Sequence, residues 1–554
     1  MYALCAKRVK RMYYNNNPIE IIQPNISESP SKEIKNLLLG LPIHAIDIKD
    51  ESTIHADRPN MNYNTDCRLL TDGVYSPDRD WHNEQWFHSH SGGGRAITFK
   101  LPCLCSVCGF SMSTNREDAV GVRSPRYIKI RVSYDGSSFM TVWEEDTRST
   151  RDMRTVLYKG EFDPVRATYV QFVYDTVHHV YIDELELYGC TDTNGALMPI
   201  NDGKPMFNEF ESATEINEYP DENILGSSNI ALSYNYRPIA DDKGLQTESD
   251  YLPLVAYLSE KGEILDTFMD GFLYLPDVSF DFSPRGQHFI GWQEYIDSVF
   301  VPNKNLSALD KTVGRVKQAL NLADYKVGVY FTILYTFTGH DDFGYLNGEH
   351  LVFDNVESRK KAIKWLIDTM ISRYNECNYE NTALLGFYWF EEALNPTDKY
   401  EQELTRFACE YVQDLGYKCF WIPYYRALGY EHWQSYGFDA ACMQPNYMFD
   451  LNIPKSRLYD TAREAKRMGM CVELEVWKIQ EDVHGNIDNP EHIKRFKEYL
   501  TVGAETGYMN TAKIYYHGSA IGGVITKGWR SKDAQYREMY DMTYKFAKRK
   551  LEVE

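Results

Sequence analysis

Two rhythms of hydrophobic and polar residues divide the chain. Between residues 36 and 195, short alternating segments such as RAITFKL, YIKIRVSYDG, TYVQFVYD and VYIDELELYG are separated by Gly, Asp, Ser and Pro. Successive side chains on a strand point to opposite faces, so alternation of period two between such turns predicts an antiparallel sandwich. From residue 228 onward, longer apolar runs alternate with amphipathic helices. The runs are Asn229 to Tyr236, Ile264 to Leu275, Lys326 to Thr336, Ala383 to Glu392, Lys418 to Tyr425, Ala440 to Tyr447, Met470 to Trp477 and Ala512 to His517. Between them lie helical stretches such as LSALDKTVGRVKQAL, ESRKKAIKWLIDTMISRYNE and SRLYDTAREAKRMG, and a closing helix runs from Asp533 to Lys550. Strands apolar on both faces, each followed by a helix, predict a closed parallel barrel. An open doubly wound sheet would alternate similarly, but no Gly-rich phosphate loop follows the first strand.

The expected fold is therefore an N-terminal all-β jelly-roll sandwich followed by an α/β TIM (β/α)8 barrel. The expected division is a flexible lead over 1–35, the sandwich over 36–195, a linker over 196–227 and the barrel over 228–554.

Composition adds one hint and removes several classes. Aromatic residues make up 14% of the 554 residues, with 42 Tyr and 10 Trp. Their flat apolar faces and single polar handles suit stacking on sugar rings, and they equally suit an aromatic-rich barrel interior. A net charge of −21 opposes a nucleic-acid partner, whose phosphates call for clustered Lys and Arg. No run of about 18 apolar residues predicts a membrane span. The N-terminal segment has basic residues after a few apolar ones, the reverse of a secretory signal, and localisation stays open. Of the 11 Cys, Cys103, Cys105 and Cys108 lack a fourth ligand for zinc and read as strand and loop thiols. Cys67 and Cys190 bracket the sandwich and are candidates for a disulfide.

In a parallel barrel the chemistry sits at the C-terminal strand ends. The fourth strand ends in Phe390, Glu391 and Glu392, and the seventh carries Glu473 and Glu475 before Trp477. Carboxyl groups inside apolar strands cost several kcal/mol unless paired or placed at a site. Glu391 and Glu392 point opposite ways, whereas Glu473 and Glu475 share a face. Cleavage of a glycosidic bond needs two such groups, one protonated and one ionised. Position along the strand favours Glu392 as acid/base, with Glu391 as runner-up. It favours Glu475 as nucleophile or base, with Glu473 beneath it raising its pKa by like charge. The alternative for each is a buried carboxylate held by a neighbouring Arg or Tyr.

Candidate substrate-binding groups at other strand ends are Asp270, Tyr335, Tyr424, Tyr425, Gln444, Asn446, Tyr447, Tyr516 and His517, with Trp389 and Trp477 as stacking platforms. Packing is the alternative for every one. His340, Asp341 and Asp342 invite a metal reading, but solvated loop carboxylates are the simpler one, and no metal or other cofactor is expected in the barrel. In the sandwich, Asp72 and Gly73 are a candidate start of a structural calcium loop, and Trp81 and Trp86 are candidate sugar contacts or core residues.

Two resemblances extend this reading. Leu70, Thr71, Asp72 and Gly73, then Trp81, Ile97 to Leu101, Val132 to Ser137 and Tyr181 to Gly189 resemble a discoidin or galactose-binding-like module. The strand-four and strand-seven glutamates resemble those of glycoside hydrolase barrels, which implies an acid/base at the first and a nucleophile at the second; the Asn usual before the strand-four Glu is replaced by Phe390 and Glu391. The runs GFYWFEE, MDGFLYLP, MQPNY and VELEVW resemble an uncharacterised bacterial family known only as a domain of unknown function. The expected partner is an oligosaccharide or polysaccharide. Hydrolysis of O-glycosidic bonds is the leading expectation, non-catalytic glycan binding the second, and a lyase or metal-dependent barrel chemistry the third.

Overall fold

The computed structural model describes residues 10–12, 30–49, 66–77, 80–81, 83–90, 93–116, 122–148, 155–176, 179–209, 213–235, 245–276, 288–336, 342–394, 399–477, 479–518 and 523–553. Two compact units result, one of residues 1–211 with 396–399 and one of 212–395 with 400–554.

The first unit is all β. Two long strands, Gly93–Asn115 and Thr155–Thr176, pair antiparallel along most of their length. Register shifts at Lys100/Cys105 and Val107/Gly109 interrupt the ladder, and such bulges bend strands. One half of the pair joins Ala45–Ile48 and Tyr127–Ser133, and the other half joins His179–Cys190. Folding the sheet over itself in this way gives a sandwich with Ile97, Phe99, Phe110, Val132, Phe172 and Leu185 in its core. Trp86 belongs to the packing, with its Nε1 donating to the Asp80 carbonyl at 3.2 Å.

The expected Cys67–Cys190 disulfide does not form. Both are buried free thiols, and Cys190 Sγ donates to the Asp192 carbonyl at 3.4 Å instead. Strand pairing sets Cys190 opposite Ser106, between Cys105 and Cys108, so the neighbour absent from the local sequence comes from the last strand. Among the described residues, no group of three or more His, Cys, Asp or Glu is arranged to hold a metal ion. At the Asp72–Gly73 turn, Asp72 Oδ1 accepts from Val74 N–H at 2.9 Å and Gly73 N–H donates to Glu184 at 3.0 Å. Burial pushes the Glu184 carboxyl up to about 8.

The second unit contains a closed barrel of eight parallel strands. These are β1 (Asn229–Asn235), β2 (Gly271–Pro276), β3 (Val327–Ile333), β4 (Thr382–Trp389), β5 (Lys418–Trp421), β6 (Ala440–Met443), β7 (Cys471–Glu475) and β8 (Lys513–Tyr516). The TIM (β/α)8 expectation is corrected here, because regular strand–helix alternation fails at two crossovers. Between β5 and β6 there is no α-helix: a seven-residue 3-10 segment, Tyr430–Tyr436, lies between Gly429 and Gly437. Both glycines have left-handed backbone, with φ of 81° and 93°, which ends the helical path at each side. Between β1 and β2 the only α-helix among the described residues is the eight-residue Glu248–Val255. The chain then forms an antiparallel hairpin of Ala256–Leu258 with Ile264–Thr267, so the second apolar run is split and only its end joins the barrel. A second hairpin, Gly344–Leu346 with Glu349–Leu351, follows β3. His340 and Asp341 of the expected metal run lie outside the described residues, and Asp342 pairs with His350 at 2.9 Å.

The strands separate two apolar layers. Ile230, Leu232, Leu273, Tyr330, Tyr388, Phe420, Cys442, Cys471 and Ile514 fill the barrel interior. The alternate residues, among them Val329, Phe387, Trp389, Trp421, Val472 and Leu474, pack outward against the helices. In β4 a register shift between Val329↔Leu384 and Tyr330↔Gly386 resets this alternation. Gly386 is required there, since a Cβ would lie 2.4 Å from the Lys418 carbonyl oxygen.

The closing helix Ala534–Ala547 buries Tyr536, Met539, Tyr540 and Phe546 along one face. Asp533 caps it by accepting from the backbone N–H groups of Gln535 and Tyr536, both at 2.9 Å. Asp533→Ala is expected to lower the unfolding free energy by about 1 kcal/mol in urea denaturation, while Asp533→Asn keeps most of it.

Candidate functional site

All eight strands run the same way, so their C-terminal ends open at one end of the barrel. On β7, Cys471 faces the interior, and period-two alternation turns Glu473 and Glu475 inward with it. After the register shift in β4, Tyr388 and Phe390 also face inward, and Glu392 follows on the same side at the strand end. The Glu391 charge acts both on Tyr335, which bonds Glu401 at 2.7 Å in the outer layer, and on the inward-facing Tyr388.

Electrostatics tie the three inward carboxyls together. Burial pushes the Glu475 carboxyl up to about 8, and the charge of Glu392 adds to the shift. Glu475 is fully buried; its Oε2 accepts from the Tyr499 hydroxyl and its Oε1 has no hydrogen-bond partner. Glu473 is held well above the ordinary carboxyl range by burial first, then by the charges of Glu475 and Glu392. Glu392 is exposed to solvent, yet the wall around it withholds enough water to push it up to about 6, against a hydrogen bond with Gln444. Tyr388 is raised chiefly by burial and then by the charges of Glu392 and Glu473.

Beside the carboxyls stands an aromatic wall. Trp477 stacks on Tyr516 with centroids 5.9 Å apart and planes 20° from parallel. Phe449 meets both rings edge-on, at 6.0 and 5.7 Å, and Tyr234 meets Tyr516 edge-on at 6.0 Å. These four rings come from the ends of β1, β7 and β8 and from the segment after β6. Glu475 is paired in register with Tyr516, so wall and acid share one level.

Of the expected site residues, the structure gathers Glu392, Glu473, Glu475, Gln444, Trp477 and Tyr516 at this mouth. Asn446, with left-handed backbone at φ 50°, adjoins them, since its backbone and that of Tyr447 draw the Glu475 pKa down against burial. Others go elsewhere. Asp270 precedes β2 at the opposite end, where its carboxylate accepts from Ser228 and Asn229 N–H groups at 3.0 and 2.7 Å. Trp389 is buried in the outer layer, and Tyr335 lies there beside Arg359 and Glu401. The Tyr447 side chain turns outward to Glu498 at 2.6 Å, under Arg495. His517 is buried, bonded through Nε2 to the Leu232 carbonyl at 2.9 Å, and burial pulls its pKa down to about 4, so it is a neutral strut between β8 and β1. Tyr425 sits between Arg426 and Arg457 at the end of β5, and the Tyr424 carbonyl closes the turn there.

Sequence reasoning missed Tyr499, Phe449, Tyr234 and Tyr388. Tyr499 lies within the helix Pro490–Thr506 on an apolar face with Phe496 and Leu500, a pattern that signals packing alone. Phe449 is half exposed in the segment after Tyr447, where no periodicity marks it.

Among the described residues, no helix is long and apolar enough to cross a membrane. No curated protein matches the chain. Solved structures match parts of it. One is CpGH89CBM32-5 from Clostridium perfringens, in complex with GalNAc-β-1,3-galactose, at 18% identity over 24% of this chain and 88% of that one, with a TM-score of 0.18. Another is chitosan-binding module 1 from the chitosanase/glucanase of Paenibacillus sp. IK-5, at 18% identity over 28% and 99%, TM-score 0.20. A third is the family 32 carbohydrate-binding module of Streptococcus pneumoniae EndoD, at 11% identity over 28% and 99%, TM-score 0.19. Residues 229–545, more than half of the chain and the whole set of barrel strands, match the model of the family described as "Domain of unknown function (DUF4855)", and the chain belongs to that family.

Proposed function

We propose that the open end of the barrel is a carbohydrate site that hydrolyses O-glycosidic bonds. The observation that carries this reading is a pair of carboxyls, Glu392 near 6 and Glu475 near 8, set apart in protonation beside one aromatic wall. At neutral pH the first is ionised and the second holds its proton, the division of labour that glycosidic cleavage requires. This reverses the roles expected from strand position alone. Glu475 gives its proton to the leaving oxygen as the C–O bond breaks. Glu392 either bonds to the anomeric carbon or takes a proton from the attacking water, and one water is consumed overall. Trp477 and Tyr516 offer ring faces to the apolar side of a sugar.

A glycan screen tests the reading directly: wild type releases reducing ends from at least one oligosaccharide, and Glu392→Gln and Glu475→Gln do not. Hydrolysis that survives both substitutions defeats the assignment. The complete burial of Glu475 favours a second reading, a barrel that binds glycans without cleaving them; binding by wild type with no turnover selects it. In either case Trp477→Ala is expected to weaken glycan binding about tenfold, equivalent to ~1.4 kcal/mol, in calorimetric titration.

A further inference from the structure

The buried acid of the mouth is held from the outer layer by one helix. Tyr499, buried within the helix Pro490–Thr506, donates its hydroxyl proton to Glu475 Oε2. The same hydroxyl oxygen accepts from the Tyr447 backbone N–H at 3.2 Å, and the two tyrosine rings pack with centroids 5.7 Å apart. One turn earlier on this helix, Arg495 bonds the carbonyls of Tyr447, Asp450, Leu451 and Ile453. The segment that supplies the N–H is thereby fixed to the same helix as the hydroxyl that receives it. The remaining groups that act on Glu475 are the Glu392 carboxyl from the end of β4 and the backbone of Asn446 and Tyr447, with Glu473 below it on β7. Glu498 and Arg495 stand behind Tyr447.

A phenol has one proton to give. With the Tyr447 N–H on its acceptor side, that proton is aimed at Oε2. Burial, and then the charge of Glu475, hold the hydroxyl well above the ordinary phenol range, so it keeps its proton while the carboxyl titrates. Oε2 is therefore occupied as an acceptor in both states of the acid. The proton of the carboxyl itself is left to Oε1, the oxygen with no hydrogen-bond partner among the described residues.

We infer that Tyr499 is a positioning residue: it fixes the Glu475 proton on Oε1, the oxygen presented to the leaving group, and stabilises the carboxylate left after transfer through Oε2. This rests on the hydrolytic reading of the same mouth. As the glycosidic C–O bond breaks, its electron pair goes to the leaving oxygen, which takes the Oε1 proton. The O–H pair stays on Glu475, Tyr499 keeps its own proton, and the new charge meets a donor already in place. The test titrates Glu475 in the full chain by infrared difference spectroscopy, following the carboxylic C=O band that Glu475→Gln removes. Wild type is expected to titrate near 8. Tyr499→Phe removes a donor to the charged form, so its midpoint is expected to rise by about one to two pH units. The alkaline limb of kcat/KM is expected to move up with it, while KM stays within twofold. 3-Fluorotyrosine in place of Tyr499, a stronger donor of nearly the same shape, is expected to move the midpoint down, and it carries the test should Tyr499→Phe not fold. Tyr508→Phe removes a hydroxyl that bonds the Tyr499 carbonyl instead, and is expected to leave the midpoint in place. A midpoint unmoved by Tyr499→Phe or by 3-fluorotyrosine, or moved equally by Tyr508→Phe, overturns the inference, because a packing role alters stability without altering the proton's affinity. The expected shifts in a chain that cleaves no oligosaccharide overturn the hydrolytic reading and leave the proton placement standing.

Discussion

Glu475→Gln is expected to lower glycan hydrolysis by about two to four orders of magnitude, the range that positioned general acid–base groups supply. The glutamine keeps the shape of the side chain and a hydrogen-bonding carbonyl for the Tyr499 hydroxyl, but it has no proton to deliver to a leaving oxygen. Glu392→Gln is expected to cost a comparable factor by removing the ionised partner, and the double variant falls little further, because the two groups act on one bond. Substrate affinity stays within a few-fold of wild type in both single variants. Loss of binding in parallel with turnover would instead mark these carboxyls as ligand contacts without catalytic work. The pH profile of kcat/KM reads the same two groups from another side. It is expected to rise through about 6 as Glu392 ionises and to fall through about 8 as Glu475 loses its proton.

The second large effect is on stability. Glu475 has a folded pKa of about 8 against an ordinary 4.5, raised by burial. An acid raised by folding binds its proton more tightly in the native state, so between these values the folded chain carries more protons than the unfolded one. Its stabilising contribution is therefore complete below about 4.5 and is lost as pH rises through 8. At roughly 1.4 kcal/mol per pH unit, the loss from this group is on the order of 3–5 kcal/mol. Glu473, shifted in the same direction by the same burial, adds to the decline. Urea denaturation at pH 5 and pH 8 should show wild type markedly less stable at the higher pH. Glu475→Gln should show a smaller drop and be the more stable protein at pH 8. A flat pH response in wild type would mean that the carboxyl is better solvated or better bonded than its surroundings indicate. The same carboxyl thus links function to fold: the burial that keeps it protonated for catalysis costs stability once it ionises.

Much of the site could be seen in local pattern. Period two places Glu473 and Glu475 on one face and Glu391 and Glu392 on opposite faces. The end of each run was harder. Asp270 sits inside the second apolar run, yet the hairpin of Ala256–Leu258 with Ile264–Thr267 consumes the first half of that run. Asp270 consequently precedes β2 and lies at the base of the barrel, where Asn229 and Lys513 surround it. Trp389 fails as a platform for a different reason. It lies one residue from inward-facing Tyr388, so alternation alone sends it to the outer layer, and its aromatic character was a poorer guide than its parity. At the fifth crossover Gly429 and Gly437, eight positions apart, bracket the short 3-10 segment that replaces an α-helix.

What local sequence governs in this protein is the side of each strand on which a residue falls, because backbone pleat and helical period are set by neighbours in the chain. It therefore fixes that three glutamates look into one barrel. Which of them keeps its proton is a property of closure. Tyr499 reaches Glu475 from a helix 24 positions further along, Phe449 joins Trp477 and Tyr516 across three strand ends, and the depth of burial at each carboxyl depends on how far every neighbouring strand extends. Long-range packing sets dielectric and distance, and these decide protonation, so the paired acids were present in the sequence while their chemistry arises only in the folded chain.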